Sequence, residues 1–208
     1  MTTVLLVRHG MTDYVARRIC AGRTPGVSLD ATGRNQAEAV AQRLRELPIK
    51  AIYSSPIERA METAQAIAAV LNLPVQPCDG LIETHTADWT GLPFADIQQK
   101  DAAVWQALQT HPSGTRIPGG ETINEIQARM ASAIEGIRSR HRDGLVVAVS
   151  HADPIKAVLA YYLGLDLDNF QRLVIGPTSI SAVQFDGQRT AVLTVNNNGD
   201  LAHLAPKP

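Results

Sequence analysis

Two apolar runs of this chain end on histidine, and that pairing constrains the fold more than any other feature. Val4–Val7 leads into Arg8-His9-Gly10, and Leu145–Val149 leads into Ser150-His151. Short runs rich in β-branched residues read as strands buried on both faces. In an open α/β sheet, ligands bind outside the carboxyl ends of the strands. Arg8, His9 and His151 therefore belong at one functional edge, and Gly10 lets the chain turn there with few steric limits.

Strand and helix patterns alternate along most of the remaining chain, which argues for an α/β fold with a largely parallel sheet. Asp30 is positioned to cap a helix with Ala37, Val40, Ala41 and Leu44 on one face, stopped by Pro48. A strand over residues 50–54 and a second amphipathic helix through Leu71 follow. Val75 and Leu81-Ile82 read as short strands. Between Thr84 and Gly120 strand signals vanish, and Trp89, Trp105 and several prolines stand among polar residues. That stretch reads as a lid-like excursion with one helix near residues 95–108. Thr122 and Glu125 form a capping box for the next helix. Beyond His151, Asp153 is expected as a cap and Pro154 in the first turn. Leu173–Ile175, Ile180–Phe185 and Thr190–Val195 read as closing strands, the last two as a hairpin through Asp186-Gly187. Residues 202–208 read as a tail.

With 208 residues, 45% of them hydrophobic, the chain suits one domain over residues 1–208. A net charge of −1 gives no global field for nucleic acid. Cys20 and Cys78 lack metal or redox spacing and read as incidental thiols of a cytoplasmic protein. The apolar start is too short for a signal peptide and lacks a basic flank, and no stretch approaches a membrane span.

Three further features join the two histidines. Tyr53-Ser54-Ser55-Pro56-Ile57-Glu58-Arg59 puts Arg59 in the first turn of a helix that follows a strand. Glu83 closes the Leu81-Ile82 stretch, and Arg34 follows Gly33 in an earlier helix. This set suits a phosphoryl group. Arginine offers a planar fork of donors that matches phosphate oxygens and stays charged. Helix N-termini after Gly10 and His151 add amide donors. A neutral imidazole attacks phosphorus, and flanking arginines keep His9 neutral. Glu83 is the obvious proton donor to a leaving alkoxide, with Asp88 as its rival. Neither a metal nor a cofactor is expected, because Arg8, Arg59 and His151 supply the positive field that Mg²⁺ supplies elsewhere.

Leu6-Val7-Arg8-His9-Gly10, Ser54-Ser55-Pro56-x-x-Arg59-Ala60-x-x-Thr63-Ala64, Leu81-Ile82-Glu83 and Val149-Ser150-His151, in this order, resemble the histidine phosphatase superfamily, the cofactor-dependent phosphoglycerate mutase-like group. Gly22, Leu29, Gly33-Arg34-x-Gln36-Ala37 and Pro118-Gly119-Gly120-Glu121-Thr122 also fit. The resemblance implies a three-layer α/β/α fold with a mostly parallel sheet and one antiparallel strand. It also implies a phosphohistidine on His9, a phosphate pocket of Arg8, Arg59 and His151, and Glu83 as acid and then base. Thr12, Gly22, Ala152 and His85 are further candidates for contact with the substrate or its phosphate. Ala21-Gly22-Arg23-Thr24-Pro25-Gly26-Val27 and Ser150-His151-x-Asp153-Pro154-Ile155-Lys156 resemble a narrower, actinobacterial-type phosphomutase subgroup.

The chain departs from the family at Met11, Val15, Ala87 and Ala152, where members usually carry Glu, Asn, Gly and Gly. These changes leave every central residue in place. A phosphatase acting on a small phosphate monoester is the leading reading. A phosphomutase would need a second cationic cluster, and residues 84–120 offer only Lys100 and Arg116. A phospholigand-binding protein without turnover would not need His9 and Glu83. His111, His141 and His203 read as solvated, Arg17 and Arg18 as a solvated pair, and Trp89 and Trp105 as lid packing. The expected partner is a small phosphorylated molecule, and the resemblance leaves room for a homodimer.

Overall fold

The two apolar runs lie side by side at the centre of the sheet. In the computed structural model, which describes residues 1–201 and Leu204, β1 (Thr2–Arg8) pairs in parallel with β4 (Gly144–Ser150), Arg8 opposite Ser150. The two histidines therefore leave the sheet at the same edge, where the His9 amide donates to the Ser150 carbonyl at 3.0 Å. On one side of this pair stand β2 (Ile49–Ser54) and the short β3 (Val75–Pro77). On the other side stand β5 (Ile180–Asp186) and β6 (Arg189–Asn197), giving the order β3-β2-β4-β1-β5-β6. Only β5 runs against the rest, because a hairpin turn at Gly187 joins it to β6.

Alternation along the strands sorts side chains into two cores. Leu5 and Val7 pack on one face with Val40 and Leu44 of α2 (Ala31–Leu44) and Ile67 of α3 (Glu58–Leu71). Val4 and Leu6 pack on the other with Met130 and Ile134 of α6 (Ile123–Arg140) and Val158 of α7 (Ala152–Leu163). This is the expected three-layer α/β/α arrangement. A third core lies off the sheet edge, where Trp89, Ile97, Leu108 and Ile117 meet Ile123, Ile126 and Phe170. It belongs to the excursion, which carries α4 (Phe94–Lys100) and α5 (Ala102–Thr110); a four-residue α1 (Asp13–Ala16) follows β1.

Several local expectations are corrected. The single helix near residues 95–108 is two, broken at Asp101, whose carboxylate accepts from the Trp89 indole at 2.7 Å. Leu81-Ile82 is no strand: the last bond to β2 is Cys78 N–H to the Ser54 carbonyl, and Asp79–Leu81 coils into a 3₁₀ turn. Leu173–Ile175 is extended but unpaired with the sheet, and the Ile175 carbonyl accepts from the Arg8 guanidinium at 2.6 Å instead. Helix α2 ends at Leu44, before Pro48 is reached. Asp153 lies inside the first turn of α7, beside Lys156 at 2.7 Å, and the capping position is His151. The Thr122–Glu125 capping box forms as expected. Of the expected tail, Leu204 packs into the α2–α3 core, and residues 202, 203 and 205–208, His203 among them, lie outside the described residues. Among the described residues, no helix is long and apolar enough to cross a membrane.

Candidate active site

His9 follows the end of β1 and is buried, with 2% exposure. Its Nδ1 lies 2.7 Å from the Gly10 carbonyl oxygen. A carbonyl can only accept, so Nδ1 carries the proton and the Nε2 lone pair faces outward. The Arg59 Nε–H points at that lone pair from 3.3 Å. Close backbone packing fixes the turn. A Cβ on Gly10 would stand 2.5 Å from the Gly33 carbonyl, and one on Gly33 would stand 2.0 Å from the Met11 carbonyl. Gly10 N–H donates to Thr63 at 3.1 Å, and Met11 N–H to Gln36 at 2.8 Å. The Gly33-Arg34-x-Gln36 stretch thus braces the nucleophile's loop; Arg34 itself donates to the Leu29 carbonyl at 2.6 Å.

His151 sits at the start of α7, fully buried, with its ring centroid 5.1 Å from that of His9. Its Nε2 meets the Ser55 hydroxyl at 2.8 Å, and its Nδ1 lies 3.5 Å from Glu83 Oε2. Arg59, 1% exposed in the first turn of α3, donates to the Gly22 carbonyl at 2.8 Å and stands 3.7 Å from Glu83. Glu83 Oε1 accepts from the Thr84 amide at 2.8 Å. Four polar atoms here are buried without a partner: Arg8 Nε, Arg59 Nη1, Thr84 Oγ1 and His151 Nδ1. Buried polar groups are nearly always satisfied, so these orphans, three of them on residues that line one cavity (Arg8, Arg59 and Thr84) and the fourth on His151 just outside that lining, are the signature of a site that expects a polar guest.

The electrostatics match. Burial, followed by the Arg59 and Arg8 charges, holds the His9 imidazole well below its usual range. Burial and Arg59 do the same for His151. Burial pushes the Glu83 carboxyl up, with Arg59 pulling against it. Burial also lowers Arg8 and Arg59, with Glu83 opposing. Guanidinium remains charged at any working pH. The resting site therefore holds two neutral imidazoles, two cations and one carboxyl group whose pKa is raised; His151, expected to add to the positive field, is a neutral donor, and the charge comes from Arg8 and Arg59. His9, Glu83 and His151 also offer three potential metal-ligand atoms within 4.8 Å of one another. The two neighbouring guanidiniums make that trio a far better host for an anion than for a cation.

The cavity above this floor has a volume of about 440 Å³. Its outer wall is apolar, built by Ile19, Trp89, Phe94, Trp105, Leu108 and Phe170. Gly22 and Ala152 line the cavity; Arg17 and Arg18 are exposed as the sequence reading expects, and Arg18 also borders the cavity. Thr12 is buried away from it and caps α1 by accepting from Val15 N–H at 3.2 Å. The His85 side chain is exposed and lies outside the lining, as does Asp88. His141 is held by the Tyr53 hydroxyl at 3.0 Å, and His111 by Asp168 at 2.5 Å. Sequence reasoning missed Ser55 and Thr84; Ser55 had a signal, since it stands in the Ser-Ser-Pro stretch ahead of Arg59.

A model of the histidine phosphatase superfamily (branch 1) matches residues 4–198. Phosphoserine phosphatase 1 of Hydrogenobacter thermophilus is 30% identical over 199 residues, which cover 94% of this chain and 92% of that protein. The bifunctional protein Rv2228c of Mycobacterium tuberculosis is 35% identical over 204 residues, 96% of this chain but only 55% of that protein. Among solved structures, a phosphoserine phosphatase of Entamoeba histolytica, a histidine-to-alanine variant holding phosphoserine, has a TM-score of 0.85 at 25% identity. That match covers 94% of this chain and 97% of the other.

Proposed function

Because this chain belongs to the histidine phosphatase superfamily, branch 1, we propose that it hydrolyses a small phosphate monoester through a phosphohistidine on His9 Nε2. The observation that carries this reading is the set of orphaned atoms on Arg8, Arg59 and His151 beside His9 Nε2, whose lone pair meets only the Arg59 Nε–H at 3.3 Å. Three phosphoryl oxygens would satisfy them, and Thr84 and the amide end of α7 at Ala152 offer further donors.

In the first half-reaction His9 Nε2 attacks phosphorus in line with the ester oxygen. The P–O bond breaks and the protonated Glu83 carboxyl gives its proton to the leaving alkoxide. Arg8, Arg59 and His151 hold the charge on the transferring oxygens. In the second half-reaction the Glu83 carboxylate takes a proton from water, the resulting hydroxide attacks phosphorus, and the P–N bond breaks. Phosphate leaves, and His9 and Glu83 return to their starting states. A carboxyl with a raised pKa suits a group that must both give and take a proton near neutrality.

The apolar outer wall supports hydrolysis over a mutase reaction. A bisphosphorylated intermediate would need a second cationic cluster. Arg18 and Lys156 are the further cations that line the cavity, and Lys156 is held by Asp153 at 2.7 Å. The phosphoserine phosphatases among the relatives support a small phosphorylated metabolite as substrate. The 35% identity to the mycobacterial protein supports a place near the actinobacterial-type subgroup. A single domain, its two thiols free in a cytoplasmic setting and with room for a homodimer, completes the reading.

Rapid quenching with labelled substrate tests the central step. An acid-labile, base-stable phosphoenzyme is expected in the natural protein and not in His9→Ala. A natural protein that turns over without this species would overturn the reading.

A further inference from the structure

Glu83 carries the proton in this scheme, yet within its own segment only the Thr84 amide, at 2.8 Å, holds its carboxyl. Residues 82–86 follow a 3₁₀ turn and belong to no strand or helix. Besides the backbone bonds at its two ends, from Ile82 N–H to the Asp79 carbonyl and from Trp89 N–H to the Thr86 carbonyl, the segment is held mainly by side chains from elsewhere. Arg129, on α6, donates to the Gly80 carbonyl at 3.0 Å and to the Ile82 carbonyl at 2.7 Å. Arg23 donates through Nε to the carbonyl of Glu83 itself at 2.8 Å. The Ser150 hydroxyl holds the Leu81 carbonyl at 2.7 Å.

One residue ties these grips together. Glu121 Oε2 accepts from the His85 amide at 2.8 Å, from Arg23 Nη2 at 3.0 Å and from Arg129 Nη2 at 3.2 Å. Its Oε1 accepts from Arg129 Nε at 3.2 Å, and its own N–H donates to the His85 carbonyl at 3.0 Å. Burial works against its charge, but the His85 amide and Arg129 outweigh it and hold the carboxyl below its usual range. A Cβ on Gly120 would stand 2.2 Å from the His85 carbonyl, so only glycine lets Glu121 come this close. This accounts for the Gly119-Gly120-Glu121 stretch, which the phosphate pocket leaves unexplained.

We propose that Glu121 is a positioning residue for proton transfer: it clamps Arg23 and Arg129 onto the backbone on both sides of Glu83 and so fixes where the Glu83 carboxyl meets the leaving group. Glu121 touches neither substrate nor the transferring oxygens. The inference rests on the acid role of Glu83 given above. It differs from a general stabilising role in a measurable way. A misplaced acid harms alkyl phosphates, whose leaving groups need a proton, far more than p-nitrophenyl phosphate, whose phenolate leaves with little help.

The test uses a four-protein cycle of the natural chain, Glu121→Gln, Glu83→Gln and the double variant. In each, kcat and KM are measured for p-nitrophenyl phosphate and n-propyl phosphate. In Glu121→Gln, kcat on propyl phosphate is expected to fall about tenfold or more, and on p-nitrophenyl phosphate less than about threefold, with KM little changed. In the Glu83→Gln background the same change should have no further effect on the ratio of the two substrates, because residues that act through one group are not additive. Equal losses on both substrates, or independent effects in the double variant, would overturn the proposal. A Glu83→Gln protein without selective loss on the alkyl ester removes the acid role itself, and the clamp's purpose with it. If Glu121→Gln does not fold, Arg23→Gln carries the test, since Arg23 is partly exposed and grips the Glu83 carbonyl directly; the same selective loss is expected, and an unselective one counts against the proposal.

Discussion

The floor of the cavity and its wall are built by different means. The floor is made of main-chain ends: His9 after β1, His151 at the start of α7, and Arg59 in the first turn of α3. Its geometry follows from strand register, since Arg8 stands opposite Ser150 in the central parallel pair. The wall comes from an excursion with a core of its own, braced internally by Trp89 on Asp101 and tied to the Glu83 segment by side-chain bonds such as Glu121 to the His85 amide and Arg23 to the Glu83 carbonyl. Register is shared by a whole sheet and is hard to perturb at one residue. A side-chain clamp is local and can be cut by one substitution. Chemistry placed on the floor should therefore fail outright when touched, while functions placed on the wall should fail selectively.

The sharpest break in that comparison is at His9. His9→Ala is expected to lower turnover by about 10⁴-fold or more on every substrate, as loss of a nucleophile does in other covalent enzymes. Steady-state rates with aryl and alkyl phosphates provide the check. Substantial residual activity would mean that water attacks the ester directly and that the floor only binds.

Glu83 stands where floor meets wall, so its loss should be selective but large. Glu83→Gln should slow alkyl phosphates by about 10²–10⁴-fold and aryl phosphates much less. Equal losses would give Glu83 a binding role alone. Asp88 is exposed and lies outside the cavity lining, so Asp88→Asn should leave both rates within about twofold.

The same division decides what could be read from the sequence. The floor was legible because β1 and β4 are continuous apolar runs that end abruptly on Arg8-His9 and Ser150-His151, and Arg59 stands in the first turn of the helix after a third strand, so the three could be assigned to one edge from pattern alone. The wall was not. Arg23 and Arg129 reach the Glu83 segment from 60 and 47 residues away in the chain, and such contacts leave no periodic trace. The apolar spacing of residues 95–108 is continuous, and only the tertiary bond from Trp89 shows why the helix breaks at Asp101. Ala87, where the family usually has glycine, adopts a φ of 37°; the packed wall holds it in a conformation that its own preference disfavours. His85, a candidate for substrate contact, turns its imidazole outward, and its backbone amide is taken by Glu121.

A smaller effect should appear farther out on the wall. Trp105 lines the cavity and packs against Phe94, with ring centroids 5.8 Å apart. Trp105→Ala should raise KM for p-nitrophenyl phosphate about threefold to tenfold, which is roughly 1 kcal/mol of lost apolar contact, and leave kcat nearly unchanged. Glycerol phosphate, which has no ring to shelter, should bind as before. An equal rise on both substrates would place Trp105 in folding rather than in recognition.

The smallest effect is on stability, and floor and wall pull it in opposite directions. His9 and His151 are held well below the usual imidazole pKa, chiefly by burial. As pH falls below about 6.5, the unfolded chain takes up protons that the folded chain refuses, so stability decreases; a histidine that stays neutral in the fold costs about 0.8 kcal/mol by pH 6.0. Glu83 has the opposite sign. Its raised pKa means that the folded state holds a proton the unfolded state has lost, so its contribution is present below about pH 4.5 and fades as pH rises through its folded pKa. Between about pH 4.5 and 6.5 the two effects partly cancel. Urea unfolding across that range should show a shallower acid loss in His151→Asn and a steeper one in Glu83→Gln than in the natural protein. Parallel profiles for all three would mean that the buried imidazoles gain protons in the folded state as readily as in the unfolded one. The floor would then no longer be a site that keeps its nucleophile neutral.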